Sequence, residues 1–361
     1  MGYCMKIMAL YLPQFHRFPE NDKWWGEGYT EWVAVRGAKK YFKNHKQPKV
    51  PYKYYDLDKD GAETWHWQAS LAKEYGVDAF CIYHYWFEGK LLMEKPMEIL
   101  LKNENIDINY CICWANESWA RNWDGGFDNI LMKQSYGDKT DWKKHFDYLL
   151  PFFKDKRYLK INNRPMINLY KTKEIDGIEK MLDYWNSLAK NHGFDGVYIV
   201  SAITAQGKDE RDGLFDAYYY FEPGFTLKND YGGFDRLLYV ISSGMRILHN
   251  KFFQKKMVEH VASIKKIWNR VERRRAEKNI FTGTVIAWDN TPRRKERGTL
   301  YTEATNADLR RHLEKLKVKC KQTDGEWLYI NAWNEWGEGA FLEPDEDHGY
   351  EYLETIRSVK N

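Results

Sequence analysis

Cysteine is scarce in this chain of 361 residues. Its five copies (Cys4, Cys81, Cys111, Cys113 and Cys320) are odd in number and scattered. That pattern excludes a disulfide framework, and no two pairs stand at zinc spacing. It predicts reduced thiols, mostly core, in a cytoplasmic protein. His16, His45, His84 and His348 are isolated, with no His-x-His on the first strand, so no catalytic metal is expected. No Gly-x-Ser-x-Gly elbow, Gly-x-Gly-x-x-Gly turn or P-loop occurs. No cofactor is expected. No apolar run approaches the roughly 20 residues of a membrane span. The run after Met1-Gly2-Tyr3-Cys4-Met5-Lys6 breaks at Pro13, which does not read as a signal peptide. Internal repeats and low-complexity segments are missing too.

Aromatic side chains are what the chain has in excess. They make up 17% of it, with 16 Trp and 26 Tyr. Such rings fill cores, and they also stack on the CH faces of sugars. The richest stretch lies near the end, from Glu326-Trp327-Leu328-Tyr329-Ile330-Asn331 to Ala332-Trp333-Asn334-Glu335-Trp336-Gly337-Glu338-Gly339, followed by Leu342-Glu343-Pro344. An apolar run of strand character turns at once into carboxylates, glycines and tryptophans. That reads as the edge of an active site.

The rest of the chain alternates strands and helices. Apolar strand runs are expected at 6–12, 78–86, 110–115, 165–170, 197–203, 217–221, 282–288 and 327–332. Between them, Trp65, Ala69 and Ala72, then Ile178, Leu182, Trp185 and Ala189, then Leu309, Leu313, Leu316 and Cys320 repeat with helical period. Asp60 with Glu63 suggests a capping box, and Gly76 a helix stop. Alternation implies parallel strands joined by right-handed crossovers. Eight such units suit a (β/α)8 TIM barrel in one domain over 1–361, with a helical insertion at 224–279. An open doubly wound sheet is the rival. The barrel is preferred because Gln14, His84, Asn116, Glu117, Glu222, Asp289, Asn290, Glu335 and Glu338 all fall at carboxyl ends of strands, the face where barrels place their chemistry.

Carboxylates among aromatics suit the cleavage of a glycosidic bond. That reaction needs a proton for the leaving oxygen and a second carboxylate opposite. Glu335 and Glu338 are the candidate catalytic pair. Gln14, Glu31, His84, Tyr85, Trp86, Asn116, Glu117, Trp119, Trp123, Glu222, Trp288, Asp289, Asn290, Trp333, Asn334 and Trp336 are candidate lining for an oligo- or polysaccharide. Asp56-x-Asp58 sits in a helix-entry loop and reads as ordinary. Arg293, Arg294, Lys295 and Arg297 read as a solvated basic loop, with a phosphate site as the less favoured alternative.

The opening motifs Tyr11-Leu12-Pro13-Gln14-Phe15-His16, Asn21-Asp22-Lys23-Trp24-Trp25-Gly26 and Gly28-Tyr29-Thr30-Glu31-Trp32 resemble those of WbsX-type proteins. So do Tyr83-His84-Tyr85-Trp86-Phe87, Cys113-Trp114-Ala115-Asn116-Glu117, Trp123-Asp124-Gly125, Trp288-Asp289-Asn290-Thr291-Pro292-Arg293 and the Asn331–Gly339 stretch. The resemblance runs from about residue 6 to 355. Such proteins are described as glycosyltransferases of surface-polysaccharide clusters, and they are similar to the endo-α-mannosidases of glycoside hydrolase family 99. The resemblance implies a (β/α)8 barrel. It also implies Glu335 as the base for the sugar 2-hydroxyl, giving a 1,2-anhydro intermediate, and Glu338 as acid/base at the leaving oxygen. The hydrolases tend to carry His where this chain has Gly337, a departure that bears on substrate and reaction.

The expected function is therefore a retaining glycosidase or transglycosylase acting on bacterial surface polysaccharide. A glycosyltransferase of lipopolysaccharide or O-antigen synthesis and a catalytically silent glycan-binding barrel stay open beside it. One further feature stands out. Residues 251–278 carry ten Lys/Arg against three Glu, with Met257, Val261, Ile264, Trp268 and Val271 at helical steps. They predict either a helix packed on the barrel or one that touches an anionic membrane, which would place the protein peripherally at the inner membrane. Nucleic acid is not expected as a partner.

Overall fold

The computed structural model describes residues 5–120, 130–211, 213–322 and 327–360. The wall is built from β1 (Lys6–Tyr11), β2 (Ala79–Phe87), β3 (Asn109–Trp114), β4 (Arg164–Leu169), β5 (Tyr198–Ile203), β6 (Ala217–Tyr220), β7 (Ile280–Val285) and β8 (Trp327–Asn331). Each pairs in parallel with the next. β8 then pairs with β1, Lys6 opposite Trp327, and the ring closes. Closure decides against the open sheet: this is a (β/α)8 barrel.

Helices α1 (Pro19–Trp25), α2 (Glu31–Arg36) and α3 (Gly61–Tyr75) follow β1, and α4 (Lys95–Lys102) and α5 (Lys139–Lys154) follow β2 and β3. α6 (Ile178–Asn191) follows β4, and α7 (Gly233–Phe252) and α8 (Ile264–Arg273) follow β6. α9 (Thr291–Arg294), α10 (Asn306–Gln322) and α11 (Glu351–Lys360) complete the layer. The long ones form for the expected reason. In α6, Ile178, Met181, Leu182, Trp185, Leu188 and Ala189 are buried, one stripe against the wall. α3 ends at Gly76, in the left-handed region at φ +85°. Its other end differs from expectation: Asp60 caps nothing, and Glu63 pairs with Lys53 at 2.6 Å instead of reaching back.

Strand alternation sorts side chains into barrel interior and helix layer. Met8, Cys111, Cys113, Asn168, Tyr219 and Tyr329 meet inside. The Tyr219 and Tyr329 rings stack at 4.3 Å, and the Tyr329 hydroxyl donates to Asn168 Oδ1 at 2.9 Å. Cys81, Cys111, Cys113 and Cys320 are free thiols, all buried. β7 stops at Val285, short of the expected Trp288. The Trp268 indole takes the Val285 carbonyl at 2.8 Å, and the chain leaves the wall.

Segment 224–279 holds α7 and α8, separated by a strand, His260–Ser263, that pairs in parallel with Thr299–Thr302. The single helix expected through Met257, Val261, Ile264, Trp268 and Val271 is therefore broken. Val261 lies in the strand, where a β-branched residue fits an open edge. The apolar face of α8 (Ile264, Ile267, Trp268 and Val271) is buried against the barrel. Of the two readings of that stripe, the packed helix is the one found.

One close approach tests the wall. A Cβ on Gly283 in β7 would fall on the Tyr220 carbonyl of β6. Gly283→Ala should cost about 3 kcal/mol, the upper range of overpacking. Gly244→Ala in α7, with nothing near its added methyl, should be neutral or stabilising by about 0.5–1 kcal/mol. Thermal melts of the two variants check the contrast.

Candidate active site

Past β8 the chain makes a tight reversal. Asn334–Glu335 pair antiparallel with Ala340–Phe341, and Trp336–Glu338 form a single 3-10 turn between them. Gly339 sits at φ +61°, and a Cβ there would lie 2.8 Å from the Asp289 nitrogen. Only glycine allows that turn beside the β7 loop. The Asp289 N–H in turn donates to the Glu338 carbonyl at 2.7 Å. The reversal aims the carboxylates of Glu335 and Glu338 at one guanidinium, that of Arg293 in α9.

Arg293 Nη2 stands 2.9 Å from Glu335 Oε2, and Nη1 stands 3.1 Å from Glu338 Oε1. A third carboxylate joins from α2: Glu31 Oε2 lies 3.0 Å from Nη2 and accepts from Nε at 3.1 Å. The Glu31 side chain is fully buried, Glu335 is 8% exposed, and Glu338 is 26% exposed. Glu338 is thus the most exposed of the three. Three carboxylates crowd one guanidinium, and their mutual repulsion favours a proton in the cluster. Burial pushes Glu335 up to about 8, with Glu338 and Glu31 adding to it and Arg293 opposing. Burial raises Glu338 as well, against the pull of Arg293 and Arg294. Gly337 lies under this cluster. A Cβ there would collide with Glu31 Oε2 and the Arg293 Nε, so the turn has no room for a side chain.

The cleft in front is lined by Leu12, Gln14, Trp25, Glu117, Trp119 and Glu335, with Arg293 and Arg294. Glu117 is held by Lys171 Nζ at 3.0 Å. Tyr85 meets Trp119 edge-on at 5.3 Å. Burial first and the Glu335 charge second push the Tyr83 and Tyr85 phenols up, so both stay neutral donors beside it. Tyr170 behaves likewise, with Glu117 and Glu338 as its charged neighbours. Gln14, Glu31, Tyr85, Glu117, Trp119, Glu335 and Glu338 are therefore gathered as expected.

The other expected lining residues are built into the scaffold. His84 and Trp86 have the outward parity of β2. His84 Nε2 contacts His145 Nε2 of α5 at 2.9 Å, Trp86 stacks on the same ring at 4.6 Å, and burial lowers His84 to about 3. Asn116 bonds the Lys171 backbone at both ends of its amide, 2.9 and 2.8 Å. Glu222 is paired with Arg274 at 2.9 Å and accepts from Thr226. Trp288 lines a separate cavity with His45 and Tyr301. Asp289 is saturated by His45 (2.8 Å), Gln47 (2.6 Å) and Thr291 (2.7 Å). Burial alone would raise Asp289, but those donors hold it below the usual carboxylate range. Asn290 accepts from the Thr299 N–H at 2.7 Å.

Trp333 and Trp336 are wholly buried, and both indoles donate to Glu343, at 3.2 and 2.6 Å. Asn334 holds the Leu12 backbone, accepting at 2.8 Å and donating at 3.0 Å. Trp123 lies outside the described residues.

Arg293 was missed, since a run of basic residues reads as solvated; it is 13% exposed and central. Its adjacency to the Trp288–Pro292 motif was the available signal. Tyr83 was missed too, although it shares the parity of Tyr85 in β2.

Two proteins of Xanthomonas campestris pv. campestris, both called WxcX and described as uncharacterized, are 31% and 32% identical to this chain over 98% of it. The chain spans about half of their length, 49%. Among solved structures, the glycoside hydrolase family 99 endo-α-mannosidase from Bacteroides thetaiotaomicron superposes with a TM-score of 0.56 at 11% identity, covering 98% of this chain and 95% of that one. A glycoside hydrolase-like protein gives 0.60 at 11% identity, covering 99% and 94%. At such identity the likeness speaks for the fold. The sequence pattern described as Glycosyltransferase WbsX matches residues 7–356, and the chain belongs to that family.

Proposed function

We propose that this chain is a carbohydrate-active enzyme that cleaves or transfers at a glycosidic bond of bacterial surface polysaccharide, with retention, as one catalytic barrel. The observation that carries the reading is the carboxylate pair Glu335 and Glu338, bridged by Arg293 at the carboxyl end of β8, with burial raising both groups. The sugar would lie in the cleft bounded by Gln14, Trp25, Glu117 and Trp119. Glu335 takes the proton of the 2-hydroxyl as that oxygen attacks the anomeric carbon. Glu338 protonates the departing glycosidic oxygen. A water or acceptor hydroxyl then opens the 1,2-anhydro ring, losing its proton to Glu338, while Glu335 returns its proton to O2. Every proton taken is given back, and the two inversions retain configuration.

Burial raises both carboxyls in the free site, and the reaction needs the proton on Glu338. Sugar binding supplies the shift. It strips water from the partly exposed Glu338 and raises its affinity for the proton, while Arg293 remains against Glu335 to stabilise the anion.

The family's own description favours a second reading, transfer from a nucleotide- or lipid-linked donor. Turnover that requires such a donor selects it, and binding without turnover in any form selects a silent glycan receptor. In this reading the protein works in the cytoplasm, peripheral to the inner membrane, with the basic residues of 251–278 attracting anionic lipid. No helix among the described residues is long and apolar enough to cross a membrane.

Glu338→Gln should lose about 10²–10⁴ in kcat/KM on a substrate with a poor leaving group, and much less on an activated aryl glycoside. Glu335→Gln should fail on both, and a 2-deoxy substrate should be inert with the native enzyme. Native-rate turnover of the 2-deoxy sugar would remove the 1,2-anhydro step.

The pH profile follows from the shared proton. Above about 8 the pair loses it, so kcat/KM should fall on the alkaline side with a limb near that value. At low pH both carboxyls are protonated and the base is lost. A rate that stays flat through pH 9 would contradict the assignment.

A further inference from the structure

Helix α7 is inverted for a surface helix in water. Of its 20 residues only Ser243 and Asn250 are buried. Phe234, Leu237, Ile241, Met245, Leu248 and Phe252 step by 3, 4, 4, 3 and 4, so they form one stripe, and every one of them is exposed. Phe234 and Phe252, at the two ends, are 72% and 77% exposed. A stripe on about 30 Å of helix is far more apolar surface than scattered exposure explains.

The opposite face is tied down by polar contacts. Asp235 holds Lys266 at 2.7 Å and Arg270 at 2.9 Å in α8, and the Asn250 amide bonds the Met257 backbone both ways at 2.8 Å. The helix is thus fixed with its greasy side outward.

Charge selects the occupant. From 233 to 256 there are five basic residues, Arg236, Arg246, Lys251, Lys255 and Lys256, and one acid, Asp235, which is already paired beneath the helix. A second copy docked on the same stripe would bring two basic rows together with no acid to meet them. An anionic lipid surface meets both features: headgroups for the basic flanks and acyl chains for the stripe. Arg246 shares a groove with Tyr41 and His45 of the β1 loop, and His45 holds Asp289, whose N–H bonds the Glu338 carbonyl, so this part of α7 stands at the barrel mouth.

We propose that α7 lies flat in the interface of an anionic membrane, its Phe234–Phe252 stripe among the acyl chains, and holds the barrel mouth toward membrane-borne substrate. This rests on the peripheral-membrane reading above and moves the inserting face from 251–278 to α7.

Co-sedimentation of the whole chain with phosphatidylglycerol-containing vesicles, against phosphatidylcholine alone, tests it at low salt. The native chain should bind the anionic vesicles. Ile241→Glu with Leu248→Glu should weaken binding by tenfold or more, while leaving the melting temperature and the turnover of soluble oligosaccharide unchanged. Lys251→Gln and Lys255→Gln should each weaken it about fivefold, as an interfacial basic residue would. Native binding to anionic vesicles that survives the double Glu change would keep the membrane contact and overturn the role of α7. No binding by the native chain would overturn both. A dimer in light scattering that the double Glu change dissolves, without vesicle binding, would make the stripe a contact between copies and overturn the proposal.

Discussion

Three buried carboxylates on one guanidinium are the constraint around which this barrel mouth is arranged. Arg293 ties Glu31 of α2 to Glu335 and Glu338 of the turn after β8, two parts of the chain some three hundred residues apart. Removing the cation would leave uncompensated charge in a dry site, which typically costs about 3–5 kcal/mol. The neighbours follow from that knot. Gly337 is glycine because Glu31 and Arg293 fill the space above it. Gly339 is glycine because the turn must pass Asp289, and Asp289 is pinned by His45, Gln47 and Thr291.

Behind the knot lies a further buried carboxylate, that of Glu343. Glu343 accepts from the Trp333 and Trp336 indoles, from Gln68 at 2.7 Å and from the Tyr55 hydroxyl at 3.0 Å. Burial raises it to about 7, and the four donors restrain that rise. The tryptophans nearest Glu335 and Glu338 are thus spent on rigidity. Trp336 stacks on Phe341 at 3.8 Å, and Trp333 packs on Phe80 at 4.9 Å. Precise carboxylate placement on a tight turn needs such support from side chains locked in turn by their own bonds.

The barrel was legible because its signals are local. Alternating apolar runs and helical stripes survive any tertiary context, and the eight strands fall within a few residues of their expected places. Glu335, Glu338 and Glu31 were legible as carboxylates among aromatics. Side-chain direction was not. His84 and Trp86 look identical to lining residues until strand parity is fixed by the pairing of β2 with β3. Asp289 and Glu222 look available until their donors, which come from distant segments, are seen. Arg293 looked solvated because adjacent Arg294, Lys295 and Arg297 set the composition of its window, whereas its burial depends on α2, more than two hundred residues earlier. The broken 257–271 helix failed for a related reason: strand His260–Ser263 exists only because Thr299–Thr302 offers it an edge.

The proposed chemistry requires Glu335 and Glu338 to share one proton at neutral pH under the field of Arg293. Carboxyl carbon-13 NMR titration of glutamate-labelled enzyme reads this directly, with Glu335→Gln and Glu338→Gln to assign the signals. The expected result is a carboxyl that titrates near 8 and disappears in Glu335→Gln. If no carboxyl in the pair titrates above the ordinary glutamate range, the site holds no shared proton and the acid–base assignment is wrong.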